Sequence, residues 1–290
     1  LYGAKAAIIG GCTGTSNVLT GKMFGVPVAG THAHSWVQKF DSELEAFRAY
    51  AQTYPDSCLL LIDTYNVLES GIKNALIVFD ELRAKGFEPI GVRLDSGDLT
   101  YLSKEVRKIL DDAGYPNAKI TASNDLDEYT IISLKQDGAA IDSWGVGTKL
   151  ITSYDYPSLG GVYKLAATTN REGILEPKIK ISENPEKINN PGFKKVVRIY
   201  NKNEKCEADL IMLDDETIDE TKPLEIFDPV YTWKRRVYEN YTIRELLKPL
   251  FLEGKLVREI KSVYEVKEYA KKELSSMWDQ YKRIKNPHIY

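Results

Sequence analysis

Up to about Leu150 the chain alternates short apolar runs with longer stretches in which apolar residues recur every three or four positions. Short runs fit strands and longer periodic stretches fit amphipathic helices, so the alternation predicts βα units repeated around a parallel sheet. The predicted strands cover residues 6–9, 26–29, 58–62, 89–94, 118–122 and 140–144. Residues 58–62 are apolar at every position, as expected of a strand covered on both faces. Residues 66–85 then place Ile72, Leu76, Phe79 and Leu82 on one helical stripe and stop at Gly86, a residue suited to a left-handed cap. The next helix repeats the device with Leu99, Leu102, Val106, Ile109 and Leu110, ending at Gly114 before Pro116. Six such units predict a barrel or a doubly wound sheet.

Beyond about Gly160 the pattern changes to strand-like pieces at 161–166, 178–182, 194–200 and 208–213. Turn-rich text separates them, notably Asn184-Pro185 and Asn189-Asn190-Pro191-Gly192, which predicts an antiparallel β appendage. Near the end Val263, Val266, Ala270, Leu274, Met277 and Tyr281 recur at helical spacing. They predict an amphipathic helix packed on the body or on a partner subunit. The expected division is an α/β domain over 1–165 and a β-rich and helical region over 166–290.

Composition narrows the classes. A chain of 290 residues, 43% of them hydrophobic, has room for one large α/β domain and a smaller companion. Its 39 basic and 42 acidic residues nearly balance, and no basic block runs long enough for a nucleic-acid stripe or a membrane-surface helix. Small soluble ligands are the expected partners. Cys12, Cys58 and Cys206 are widely spaced without a C-x-x-C pair, which argues against a disulfide framework or zinc knuckle and fits a reducing cytoplasm. The apolar runs are too short to cross a bilayer, and no charged segment precedes an apolar one as in a secretory leader. The text opens on Leu1 rather than Met, inside a glycine-rich strand-like segment, so upstream sequence is expected.

Polar and glycine-rich text follows each predicted strand, and in barrels and open α/β sheets alike the site forms at those strand ends. Gly30-Thr31-His32-Ala33-His34-Ser35-Trp36 holds two of the three histidines. A neutral imidazole there can take a phosphoryl group, act as a base, bind a metal, or merely satisfy backbone groups. Zinc needs a further ligand, and the third histidine, His288, lies in the C-terminal tail. Gly145-Val146-Gly147-Thr148 offers closely spaced backbone N–H groups for a phosphate, or simply a tight βα turn. It lacks the third glycine of a dinucleotide fingerprint and the Gly-Lys-Ser/Thr of a P-loop. In Arg93-Leu94-Asp95-Ser96-Gly97-Asp98, strand periodicity points Arg93 and Asp95 the same way. Arg93 either pairs with Asp95 or grips a ligand carboxylate or phosphate. Asp63 and Asp95 can hold Mg²⁺ or ribose hydroxyls, while Asp95 or Ser96 can equally cap the following helix.

Taken in order, Gly10-Gly11 with Thr15-Ser16-Asn17-Val18-Leu19, the His34 heptad, Asp63-Thr64-Tyr65, Arg93-Leu94-Asp95-Ser96-Gly97-Asp98 and Gly145-Val146-Gly147-Thr148 resemble the nicotinate phosphoribosyltransferase family over about the first 150 residues. Tyr163-Lys164-Leu165-Ala166 and Pro191-Gly192 are similar too, while the C-terminal hundred residues carry less recognisable text. The resemblance implies an irregular, incomplete TIM-like α/β barrel of a type II phosphoribosyltransferase with a C-terminal β-rich and helical appendage. It implies a reaction of nicotinate with phosphoribosyl pyrophosphate that gives nicotinate mononucleotide and pyrophosphate, on the way to NAD. ATP, as co-substrate, would be coupled through a phosphohistidine at His34, with Mg²⁺ as cofactor. Gly147 and Thr148 would hold the 5′-phosphate with Asn124 nearby, Arg93 the nicotinate carboxylate, and Asp63 and Asp95 the ribose and Mg²⁺. Gly30 and Ser35 join the substrate site as neighbours in the heptad, and His32 is secondary to His34. A homodimer is implied, as is an additional N-terminal domain that supplies an aromatic residue and arginines to the pocket. The alternatives are a nicotinamide or quinolinate phosphoribosyltransferase, or a non-catalytic fragment that binds a phosphorylated ligand.

Overall fold

The computed structural model describes residues 1–183 and 187–288, and their contacts divide the chain into two units, Leu1–Ser158 and Leu159–Tyr290. The first unit opens with a helix, α1 (Tyr2–Gly10), where a strand was expected at 6–9. A four-residue apolar run cannot by itself distinguish strand from helix. Ala4 and Ile8, four residues apart, are its buried positions, so the run is one face of a helix rich in alanine. Helix α2 (Val18–Phe24) follows, with the Asn17 side chain accepting from the Thr20 N–H and Gly25 left-handed at φ 66°. The strand expected at 26–29 shrinks to a single parallel bridge between Thr15 and Val28.

After α3 (His34–Gln38) and α4 (Glu43–Thr53) come β1 (Leu59–Leu61), β2 (Gly91–Leu94), β3 (Lys119–Ala122) and β4 (Ser143–Trp144). These pair in parallel in the order β1-β2-β3-β4, and each lies within one of the last four expected strands. The crossovers are α5 (Ile72–Ala84), preceded by one π-helical turn over Val67–Gly71, then α6 (Leu99–Asp112) and α7 (Glu128–Gln136). Leu60, Ile62, Val92, Leu94, Ile120 and Ala122 are fully buried. Burying an aliphatic side chain of Val, Leu or Ile size contributes about 1.5–3 kcal/mol, so this layer anchors the unit.

The expected helical stripes hold: Ile72, Phe79 and Leu82 of α5 are buried and Leu76 packs against the same core. Gly86 closes α5 at φ +85°, a conformation that costs glycine little. Helix α6 is capped by Asp98, which accepts from the Tyr101 N–H, rather than by Asp95 or Ser96. Those two residues are drawn instead into the contacts described below. The short helix α8 (Thr148–Ile151) follows β4.

The second unit is antiparallel throughout. Strand β5 (Ala167–Thr169) pairs with β6 (Leu175–Pro177), so the strands form beside the stretches expected at 161–166 and 178–182. Among the described residues only the Lys178 N–H to Ala166 C=O bond extends that pairing outward, toward Gly160-Gly161, where the chain is exposed. Strand β7 (Lys194–Tyr200) lies between β8 (Cys206–Leu213) and β11 (Thr242–Glu245), close to the expected bounds. Two further pairs are β9 (Leu224–Phe227) with β10 (Arg235–Tyr238) and β12 (Phe251–Leu252) with β13 (Lys255–Leu256). The turn expected at Asn184-Pro185 lies outside the described residues.

The terminal helix α9 (Val263–Ser276) begins at a capping box in which Ser262 and Glu265 satisfy each other's backbone. Its attachment is more polar than its apolar spacing predicts: Val263 is buried, but Leu274 is 54% exposed. Glu273 accepts from Arg198 of β7 and Arg244 of β11 instead. Met277 and Tyr281 lie past the helix, Met277 as its C-cap and Tyr281 in a 3-10 turn. Among the described residues no helix is long and apolar enough to cross a membrane.

Candidate functional site

The site is set by where parallel strands stop. Backbone bonds run past the strands from Ile62 N–H to Arg93 C=O, from Ser123 N–H to Leu94 C=O and from Gly145 N–H to Ala122 C=O. The loops that follow β1 to β4 therefore start in register, on one end of the sheet. Asp63 binds the first two loops together: it is buried, and its Oδ2 accepts from the Asp95 N–H at 3.0 Å and the Ser96 hydroxyl at 2.5 Å. Its Oδ1 has no hydrogen-bond partner among the described residues.

Arg93, on β2, spends its fork within the protein. Nε donates to Ser123 Oγ, Nη1 to Thr31 Oγ1 and Nη2 to Asp95 Oδ1, each at 2.8 Å. Of the two roles left open by the sequence, pairing with Asp95 is thus realised, with two of the five guanidinium N–H groups to spare. Ser123 also donates to Asp95 Oδ1. Burial raises the Asp95 pKa, but the bonds from Ser123 and Arg93 outweigh it and hold the carboxyl below its ordinary value. Asp95 is therefore a carboxylate at neutral pH.

His34 is the first residue of α3, entered from an extended Ala33. Its Nδ1 lies 3.1 Å from Thr64 Oγ1, and its Nε2 lies 3.5 Å from Asp95 Oδ2 and 4.0 Å from Asp63 Oδ1. With a side chain 38% exposed, the ring is both reachable and held. His32 faces the opposite way: it is 7% exposed, packs on Tyr50 and Phe47, and its Nε2 accepts from the Leu61 N–H at 3.3 Å. Burial first, then the Arg93 charge, lowers its pKa to about 4, so it is neutral. The two rings of H-x-H share no ligand, and the described residues contain no group of three or more side chains suited to a metal ion.

His34, Asp63, Arg93 and Asp95 are thus joined in one network. Thr31, Thr64 and Ser123 complete it; Thr31 and Thr64 stand in motifs quoted from the sequence without a role of their own, and Ser123 precedes Asn124. Thr31 and Thr64 each adjoin an ionisable residue in sequence, His32 and Asp63, and Ser123 directly follows β3. Asn124 and Gly147 lie on the loops after β3 and β4, Thr148 opens α8, and Gly30 and Ser35 flank His34 before β1, but none of the five makes a hydrogen bond to this network among the described residues. Asn124 has φ 96°, and Gly147 caps the four-residue α8, with open space where a Cβ would stand. Lys149 is spent on Asp127 at 2.6 Å, a bond that pulls the Asp127 carboxyl well below its ordinary range.

Comparison with known proteins adds a second line. The profile of the nicotinate phosphoribosyltransferase (NAPRTase) family matches residues 3–205, and that of the nicotinate phosphoribosyltransferase C-terminal domain matches residues 193–290. The nicotinate phosphoribosyltransferase of Bacillus subtilis (strain 168) is 48% identical over 291 residues, taking in 100% of this chain and 59% of its own length. That of Caenorhabditis elegans is 34% identical over 349 residues, covering 100% of this chain and 61% of its own. The crystal structure of human nicotinic acid phosphoribosyltransferase matches with a TM-score of 0.82 at 26% identity, over 99% of this chain and 63% of that one. The chain spans less than two thirds of the length of these relatives, and its mixed α/β fold matches that of the human structure.

Proposed function

This chain belongs to the nicotinate phosphoribosyltransferase family, and we propose that the protein containing it joins nicotinate to the ribosyl carbon of phosphoribosyl pyrophosphate in NAD biosynthesis. Nicotinate mononucleotide and pyrophosphate are the products. In this reading ATP drives the reaction through His34: a ring nitrogen forms an N–P bond with the γ-phosphoryl group as the bond to ADP breaks, and water later releases phosphate. The placement of His34 carries the proposal. Its ring is exposed on one side, hydrogen-bonded to Thr64, and within 3.5 Å of a carboxylate that offsets positive charge developing on the imidazole. A phosphoryl group adds about 1.5 to 2 negative charges beside Asp95, enough to reorder the strand-end loops and so link ATP use to substrate binding.

The remaining roles follow the same supports. Arg93 has two free N–H groups for a nicotinate carboxylate, held in place by Thr31 and Ser123. Asp95 Oδ2, 3.5 Å from His34 Nε2, takes a ribose hydroxyl in this reading, while the buried Asp63 orders the Asp95 loop from behind. Gly147, Thr148 and Asn124 take the 5′-phosphate, with Gly30 and Ser35 bordering the His34 loop. The donor set does not fit a resident Mg²⁺: Asp63 is buried and bonded to Asp95 and Ser96, and Asp95 is paired with Arg93. We place Mg²⁺ on the substrate's diphosphate instead, as is usual for an ion that keeps most of its water. The homodimer and the cytoplasmic location belong to the same proposal.

The test uses the full-length protein and γ-labelled ATP. Acid-labile, base-stable label that disappears in His34→Asn is expected, together with nicotinate mononucleotide formation that ATP stimulates. Product from nicotinamide or quinolinate at a comparable rate would contradict the choice of substrate. An unlabelled wild type would contradict the phosphohistidine.

A further inference from the structure

Strand β1 stands at one end of the hydrogen-bonded sheet. On its inner side Leu61 faces Arg93 of β2, and the N–H of the next residue, Ile62, donates to the Arg93 carbonyl. Backbone N–H groups alternate in direction along a strand, so the Leu61 N–H points to the unpaired side. Leu61 is 0% exposed, which keeps water from that group, and an unpaired buried donor is costly. His32 supplies the acceptor through Nε2. Accepting at Nε2 puts the ring proton on Nδ1, inside a pocket whose Tyr50 ring lies 4.5 Å away. Among the described residues Nδ1 has no conventional hydrogen-bond partner there.

Two residues later His34 meets Thr64, three residues beyond Leu61. The H-x-H pair therefore grips the end of β1 at two points, one in the backbone and one at a hydroxyl. Thr31, next in the chain before His32, is held by Arg93. We propose that His32 is a positioning residue for His34: its buried imidazole locks the loop onto β1 so that the His34 ring is held against Thr64 and Asp95. The role in catalysis rests on the phosphohistidine reading, whereas the positioning itself does not.

Two variants of the full-length protein separate the role from packing. His32→Phe fills the pocket without an acceptor, and His32→Gln places a carbonyl oxygen near the position of Nε2. In His32→Phe the first-order rate of His34 labelling at saturating ATP is expected to fall at least tenfold. The ¹⁵N signals of the His34 imidazole should then lose the signature of the Thr64 bond. His32→Gln should recover labelling to within about threefold and keep those signals. Wild-type labelling and unchanged His34 signals in His32→Phe would overturn the proposal, as would equal losses in both variants. If the wild type takes no label, the phosphohistidine reading falls, and the ¹⁵N signals still decide the positioning of His34.

Discussion

Arg93 shows how one side chain can be structural and functional together. Its ion pair with Asp95 and its bonds to Thr31 and Ser123 align three loops, and its two spare N–H groups remain for a ligand anion. Arg93→Ala should raise the KM for nicotinate by roughly 10- to 100-fold, the loss of a charge-assisted hydrogen bond, and that for phosphoribosyl pyrophosphate by less. Equal increases for both substrates, measured by steady-state kinetics, would remove the specificity role. His32 links the same region to pH. Its folded pKa of about 4 lies below the unfolded value of about 6.5, so the unfolded chain takes up the proton first as pH falls. The stability it contributes is complete above about pH 6.5 and is lost as pH drops toward 4, on the order of 3 kcal/mol. Thermal melts of His32→Gln should have a shallower decline over this window than the wild type; parallel curves would assign the decline to other groups.

At the scale of elements, the site depends on how closely the first crossover helix approaches β1. At Gly71, where the π-helical turn meets α5, a Cβ would stand 1.9 Å from the Ile62 carbonyl oxygen, next to Asp63. Gly71→Ala must displace the helix or the strand end, an overpacking cost of about 1–3 kcal/mol. The expected fall in melting temperature is about 2–10 °C, with slower nucleotide formation, because Asp63 and Thr64 move with the strand end. A variant that melts with the wild type would mean that the approach has slack. Sequence reasoning found α5 and β1 because each carries its own period. It misassigned α1 because the four apolar residues at 6–9 fit either period, and burial of Ala4 and Ile8 decided it.

Across the whole molecule, the change from parallel α/β text to antiparallel β text falls near the boundary between the two units. Residues there are open: Tyr156, Leu159 and Tyr163 are 78%, 94% and 102% exposed. Limited chymotrypsin treatment is expected to cut this chain first within 154–163, before any site in β7 or β8; early cleavage inside those strands would contradict the division. The sequence by itself determined the parallel character of β1 to β4, the helical stripes of α5 and α6 and the family resemblance. Each of these is written in local periodicity or in the order of short motifs. Tertiary structure alone decided that His34 meets Thr64 and Asp95, that Arg93 reaches Thr31 and Ser123, and that His32 turns inward. Those partners are 29 to 62 residues apart, and separations of that kind are set by packing and sheet register, which no local pattern encodes.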